Sequence, residues 1–243
     1  MARRSDNVNA IRNGLVVSCQ VPVSSPLARP SIIAAMALAA EKQGAAGVRI
    51  NGATNISLTR KKVKVPIIGI EKIRVPRSAV YITPTFESLR RTYNAGADIV
   101  AMDFTARRRP GGEDLKRILE RARRQFDVVL MADVATLEEG LTAAQLGADL
   151  VGTTLFGYTE ETSHRKGPAF ALLRRLVRRL DVPVILEGGV RSPRDVRKAF
   201  DLGAHAVVVG TAITNMEWLT RWFVAATPHH GSCARRSQGR TAE

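Results

Sequence analysis

The sequence predicts an α/β protein folded as a single (β/α)8 TIM barrel, on three observations. Short apolar runs recur between residues 14 and 210, and amphipathic stretches of helical spacing lie between them. That alternation builds a parallel sheet, and 243 residues suit one closed barrel of roughly 250. Solitary ionisable groups also stand where apolar runs end: Lys72 after Val-Pro-Ile-Ile-Gly-Ile-Glu, Asp133 after Val-Val-Leu-Met-Ala, Glu187 after Val-Pro-Val-Ile-Leu. In a barrel the carboxyl ends of the strands share one face, and that face carries the chemistry.

Taken in order, residues 1–13 are an N-terminal extension, 14–226 the barrel and 227–243 a polar tail expected to be disordered. Gly-Leu-Val-Val-Ser-Cys-Gln at 14–20 is the first strand, and a helix over about 31–43 follows, with Pro30 placed to start it. Gly-Val-Arg-Ile at 47–50 is strand two, and a short helix over about 55–62 leads to strand three at 65–70. Its continuous apolar character suits a strand buried on both faces.

Residues 73–84, with Pro76 and Pro84, read as an insertion holding a small extra strand before a helix that starts near Thr85. Strands four to eight fall at 98–103, 128–132, 149–154, 183–187 and 206–210, and a last helix runs over about 216–226. The junctions Ala-Gly-Ala-Asp at 95–98, Leu-Gly-Ala-Asp at 146–149 and Leu-Gly-Ala-His at 202–205 repeat because glycine ends each helix in a left-handed turn before the next strand.

Bulk properties exclude several classes. No apolar run reaches the roughly 18 residues of a membrane span, and Met1 to Asn13 lacks the apolar segment of a secretory signal, so a cytoplasmic protein is expected. Cys19 and Cys233 are a poor basis for a disulfide. His164, His205, His229 and His230 show no metal-ligand spacing, so no catalytic metal is expected. The net charge of +15 is largely arginine on amphipathic faces, as in Leu-Leu-Arg-Arg-Leu-Val-Arg-Arg-Leu at 172–180, which reads as solvated helix surface and not as a specific nucleic-acid reader.

Two glycine-bearing loops follow strands seven and eight. Gly188, Gly189, Gly210 and Thr211 read as a phosphate cradle, since glycine lets backbone approach a ligand and amides at a helix start favour an anion, the alternative being that these glycines only turn the chain. Lys72 is either a solvated lysine, as most lysines are, or, at a strand end inside a partly apolar mouth, a group whose pKa is lowered by desolvation and cationic neighbours, leaving neutral amine as a base. Glu187 can reach a ligand from the top of strand seven or brace the rim through an ion pair. Asp103, Asp133, Arg49 and Gln20 complete a polar ring of strand-end residues, each of which alone could be structural.

With these residues in place the chain resembles the N-acetylmannosamine-6-phosphate 2-epimerases over roughly Gly14 to Ala226. The resemblance is carried by Ser-Cys-Gln at 18–20, Gly-Val-Arg-Ile at 47–50, Val-Pro-Ile-Ile-Gly-Ile-Glu-Lys at 65–72, Ile-Thr-Pro-Thr at 82–85, Asp-Phe-Thr-Ala-Arg-Arg-Arg-Pro at 103–110, Ala-Asp-Val-Ala-Thr-Leu-Glu-Glu-Gly at 132–140, Gly-Thr-Thr-Leu-Phe-Gly-Tyr-Thr at 152–159, Glu-Gly at 187–188 and Val-Gly-Thr-Ala-Ile-Thr at 209–214. It implies a barrel that interconverts N-acetylmannosamine 6-phosphate and N-acetylglucosamine 6-phosphate in amino-sugar and sialic acid catabolism. Lys72 would be the base and Glu187 its acidic counterpart, with Gln20, Arg49 and Asp133 contacting the sugar.

That chemistry requires no cofactor, and the partner it implies is a phosphorylated amino sugar, with a homodimer among the assemblies open to the chain. Other readings are a different phosphosugar isomerase or lyase on the same barrel, or a non-catalytic sugar-phosphate-binding regulator. The chain departs from the family pattern at Asn215, where arginine is usual, in Ile-Arg-Val-Pro after Lys72, and at Val134 and Phe156, which replace smaller polar residues.

Overall fold

The computed structural model describes residues 2–228, so the expectations for Cys233, for the His229–His230 pair and for the tail beyond Pro228 lie outside the described residues. Eight strands, β1 (Gly14–Cys19), β2 (Gly47–Asn51), β3 (Ile67–Ile70), β4 (Ile99–Asp103), β5 (Val129–Asp133), β6 (Leu150–Gly152), β7 (Val184–Glu187) and β8 (Ala206–Val209), pair in chain order. Every pairing is parallel, and β1 pairs with β8 to close the barrel. The helices are α1 (Ala2–Ala10), α2 (Pro30–Lys42), α3 (Ala53–Arg60), α4 (Phe86–Asn94), α5 (Leu115–Gln125), α6 (Leu137–Gln145), α7 (Phe170–Val177), α8 (Pro193–Asp201), α9 (Thr211–Thr214) and α10 (Met216–Val224). None is long and apolar enough to cross a membrane.

Side chains alternate across each strand, and the two sets form two cores. Val16, Ile68, Ile99, Val129, Met131, Leu150, Ile185 and Val208 fill the barrel interior. Val17, Val48, Ile50, Val100, Leu130, Val151, Leu186 and Val207 pack outward against Ile33, Leu89, Ile118 and Leu173 of the helices. Both faces are buried, which is why the strands read as continuous apolar runs.

The same parity positions the site. Counting by two from the inward residues Ile68 and Ile70 reaches Lys72, from Val129 and Met131 reaches Asp133, and from Ile185 reaches Glu187. Arg49 lies between the outward-facing Val48 and Ile50. A period of two residues thus turns all four toward the mouth.

The repeated junction has a second use. Asp98 accepts the Ile67 N–H at 2.9 Å and pairs with Arg60 at 2.7 Å, while Asp149 accepts the Leu130 N–H at 2.7 Å and pairs with Arg123 at 2.8 Å. These carboxylates cap the entry of a neighbouring strand, so β4 and β6 begin one residue later than the apolar pattern suggests. Strand three likewise starts at Ile67, because the Lys64 and Val65 N–H groups are held by the Glu41 side chain.

The insertion after β3 is a single antiparallel bridge between Lys72 and Ile82 in place of an extra strand. Ile73 N donates to Tyr81 O at 2.9 Å and Thr83 N to Glu71 O at 2.8 Å, so the chain leaves Lys72 and returns beside it. Within the first thirteen residues, α1 leads to Ile11, which is fully buried with the inner core, and His205 Nε2 lies 2.8 Å from Val8 O.

Candidate active site

The site is built around a buried arginine. Arg49 is 1% exposed, and its Nη2 donates to Asp133 Oδ2 at 2.6 Å while Nη1 lies 2.8 Å from Glu187 Oε2. Burial works against its charge, but Asp133 and Glu187 outweigh that effect and raise its pKa. Two carboxylates facing one guanidinium leave one negative charge uncompensated in a confined space. Burial accordingly pushes Glu187 up to about 7, with Arg49 pulling it down and Asp133 adding to the rise.

Lys72 supplies the complement. It reaches solvent at the rim, yet protein surrounds it closely enough that desolvation, and then the Arg49 charge, lower its pKa, with Glu187 and Asp133 opposing. Its backbone is fixed on both sides, by the bridge to Ile82 and by donation of its N–H to Asn51 Oδ1 at 2.9 Å. The lysine is pushed down and the glutamate up, which narrows the gap between their proton affinities, the direction in which acid–base sites are tuned.

Asp103 stands apart from this cluster. Although Asp103 and Asp133 are register partners, Asp103 accepts from Thr105 Oγ1 at 2.7 Å and from Arg107 Nη2 at 2.7 Å. It braces the loop after β4, and the polar ring expected from the sequence is divided at this point. Gln20 sits at the end of β1, where its Nε2 donates to Ser18 Oγ at 2.8 Å and its buried Oε1 has no protein partner. Arg49 Nε is likewise buried without a partner.

Thr153 and Thr154, at the end of β6, went unassigned in the sequence. Thr153 Oγ1 donates to Glu187 O at 2.9 Å and accepts from Glu187 N at 3.1 Å, fixing the Glu187 backbone. Thr154 Oγ1 lies 2.6 Å from Asp133 Oδ1 and 3.2 Å from Glu187 Oε2. The available signal was Gly152, where an added Cβ would stand 2.4 Å from Met131 Cε and 3.2 Å from Thr154 Oγ1. A side chain there would have to displace the Met131 methyl and crowd Thr154.

The two glycine-bearing loops flank it. Gly189 has φ +71°, and an added Cβ would lie 2.5 Å from the Gly167 carbonyl carbon, so the loop after β7 runs directly against a neighbouring backbone. Gly210 follows β8 against Ser18, and Thr214 Oγ1 ties the adjoining turn α9 to Ser18 O at 2.7 Å. Asn215, which follows, caps α10 through Oδ1, accepting the Trp218 N–H at 2.9 Å. Val134 is fully buried in the outer core, with Phe156 packed against that core, so both departures from the family pattern lie in the strand–helix layer.

Fold and site together define a (β/α)8 barrel equipped for acid–base chemistry. Residues 33–229 match the family described as "Putative N-acetylmannosamine-6-phosphate epimerase". The chain is 50% identical over 216 residues, 89% of its length and 94% of the relative's, to a Thermosynechococcus vestitus protein named "Putative N-acetylmannosamine-6-phosphate 2-epimerase". It is 46% identical to a protein of the same name from Caldanaerobacter subterraneus subsp. tengcongensis, covering 90% of this chain and 93% of that one. The solved N-acetylmannosamine-6-phosphate 2-epimerase of Clostridium perfringens superposes with a TM-score of 0.87 at 38% identity, over 90% of this chain and 96% of that one. The chain belongs to the N-acetylmannosamine-6-phosphate epimerase family.

Proposed function

We propose that this protein epimerises N-acetylmannosamine 6-phosphate to N-acetylglucosamine 6-phosphate at C2, in amino-sugar catabolism in the cytoplasm. The observation that carries the reading, beside family membership, is the convergence of Lys72, lowered by burial and Arg49, with Glu187, raised to about 7 by burial, on one barrel face. A binder without chemistry gains nothing from such a pair.

In the open-chain sugar the C2 proton is acidified by the C1 aldehyde. The neutral Lys72 amine takes that proton and becomes ammonium, and the electron pair moves into the C1 oxygen as an enolate. The Glu187 carboxyl then gives its proton to C2 from the opposite face, which inverts the centre and leaves a carboxylate. Exchange with solvent returns both groups to their starting states. No cofactor enters the balance.

Gln20 and Arg49, each with a buried atom that has no protein partner among the described residues, are assigned to the sugar, and Arg49 places positive charge where the enolate develops. Asp133 contacts the sugar and holds Arg49 in place. Gly188, Gly189, Gly210 and Thr211 offer backbone amides to the phosphate. A homodimer is the proposed assembly.

Incubation of the purified protein with either epimer, followed by proton NMR, tests the reading. The same mixture of both N-acetylhexosamine 6-phosphates is expected from either side. A phosphosugar that binds and is returned unchanged would contradict it.

A further inference from the structure

Thr154 has one hydroxyl proton and faces two carboxylates. Its oxygen lies 2.6 Å from Asp133 Oδ1 and 3.2 Å from Glu187 Oε2, and the shorter contact takes the proton. Toward Glu187 the hydroxyl then presents a lone pair. A protonated Glu187 can donate to that lone pair, whereas an ionised Glu187 meets it with another. Thr154 therefore adds a hydrogen bond to the protonated state that it does not add to the ionised one, in a chain running from Glu187 through Thr154 to Asp133, and it does so against Arg49 Nη1, which favours the carboxylate from 2.8 Å on the same Oε2.

We infer that Thr154 is a positioning residue that holds Glu187 in its protonated, acid-competent form by donating to Asp133 and offering Glu187 only an acceptor. The charged groups acting on Glu187 from the surrounding elements are Arg49 on β2 and Lys72 beyond β3, which favour its carboxylate, and Asp133 on β5, which opposes it. Thr153 fixes the Glu187 backbone and Arg49 Nη1 holds its carboxyl, both independently of Thr154. A hydroxyl donating to Glu187 would instead favour the anion, and the two assignments predict opposite shifts.

The role in turnover rests on the proposed epimerase reading, but the titration does not. Ligand-free protein carrying 13C-carboxyl glutamate is titrated by NMR, with the Glu187 signal assigned by its loss in Glu187→Gln. Because Asp133 and Glu187 interact, the midpoint belongs to the pair. In Thr154→Val the midpoint is expected to fall by about one pH unit, the size one neutral hydrogen bond supports, and Thr154→Ser is expected to restore it. The limb of the kcat profile that requires protonated Glu187 moves with it, while KM changes little. A midpoint that rises or stays put in a folded Thr154→Val overturns the inference. A fall in the midpoint in a protein that turns out not to epimerise upholds the Thr154 assignment and removes the proposed function alone.

Discussion

Arg49 Nη1 lies 2.8 Å from Glu187 Oε2 while the same guanidinium grips Asp133, so the acid of the proposed reaction is tied to a buried cation that is itself tied to a second carboxylate. Removing the cation should therefore cost more than one contact. Arg49→Met takes the guanidinium from between Asp133 and Glu187, and a loss of about 3–5 kcal/mol is expected, as for other broken buried pairs. Chemical denaturation checks this. A loss below about 1 kcal/mol would mean that solvent already screens the cluster.

Glu187→Gln separates catalysis from bracing. The amide keeps the shape and a hydrogen bond to Arg49 but has no proton to give, so kcat should fall at least roughly a hundredfold, within the range general acid–base groups supply. A melting temperature that collapses with little change in kcat would favour the rim-bracing role.

Glu187 also makes stability depend on pH. Its folded pKa, about 7, lies above the ordinary 4.5, so between those values the folded state binds more protons than the unfolded one. Its contribution is fully present below about 4.5 and is lost as pH rises through about 7. Relative to wild type, Glu187→Gln should thus be more stable at pH 8 than at pH 5, and a difference that is flat between them would contradict the burial argument.

Asn215→Arg tests the departure from the family pattern. The change deletes the cap on the Trp218 N–H, worth about 1 kcal/mol, or roughly 2–4 °C in a chain of this size. It also adds a cation five residues beyond Gly210, and a charge-assisted contact to the phosphate shared by ground and transition states should lower KM roughly tenfold with kcat little moved. Calorimetry and steady-state kinetics read the two effects separately. An unchanged KM would place Asn215 in the capping role alone.

Much of the architecture was legible because a parallel barrel writes a period of two into its strands and closes α2, α4, α6 and α8 with a glycine at positive φ. That parity, continued past Ile70, Met131 and Ile185, already placed Lys72, Asp133 and Glu187 on one face. What stayed hidden depended on partners far apart in the chain. Asp103 obeys the same parity, but Arg107 and Thr105 claim it for its own loop. Thr154 looked like any strand-end threonine, and its contacts with Asp133 and Glu187 lie 21 and 33 residues away. Asn215 read as a missing cation, although it precedes Glu217 in the first turn of α10, as a cap does.

The central claim, that Lys72 removes the C2 proton, is tested most directly by deuterium exchange at C2. N-acetylmannosamine 6-phosphate is incubated with the protein in deuterated water, and the C2 position of both epimers is followed by NMR. Wild type should incorporate deuterium at C2 as the epimers interconvert, and folded Lys72→Ala should lose both exchange and epimerisation. Exchange at near wild-type rate in Lys72→Ala would contradict the account.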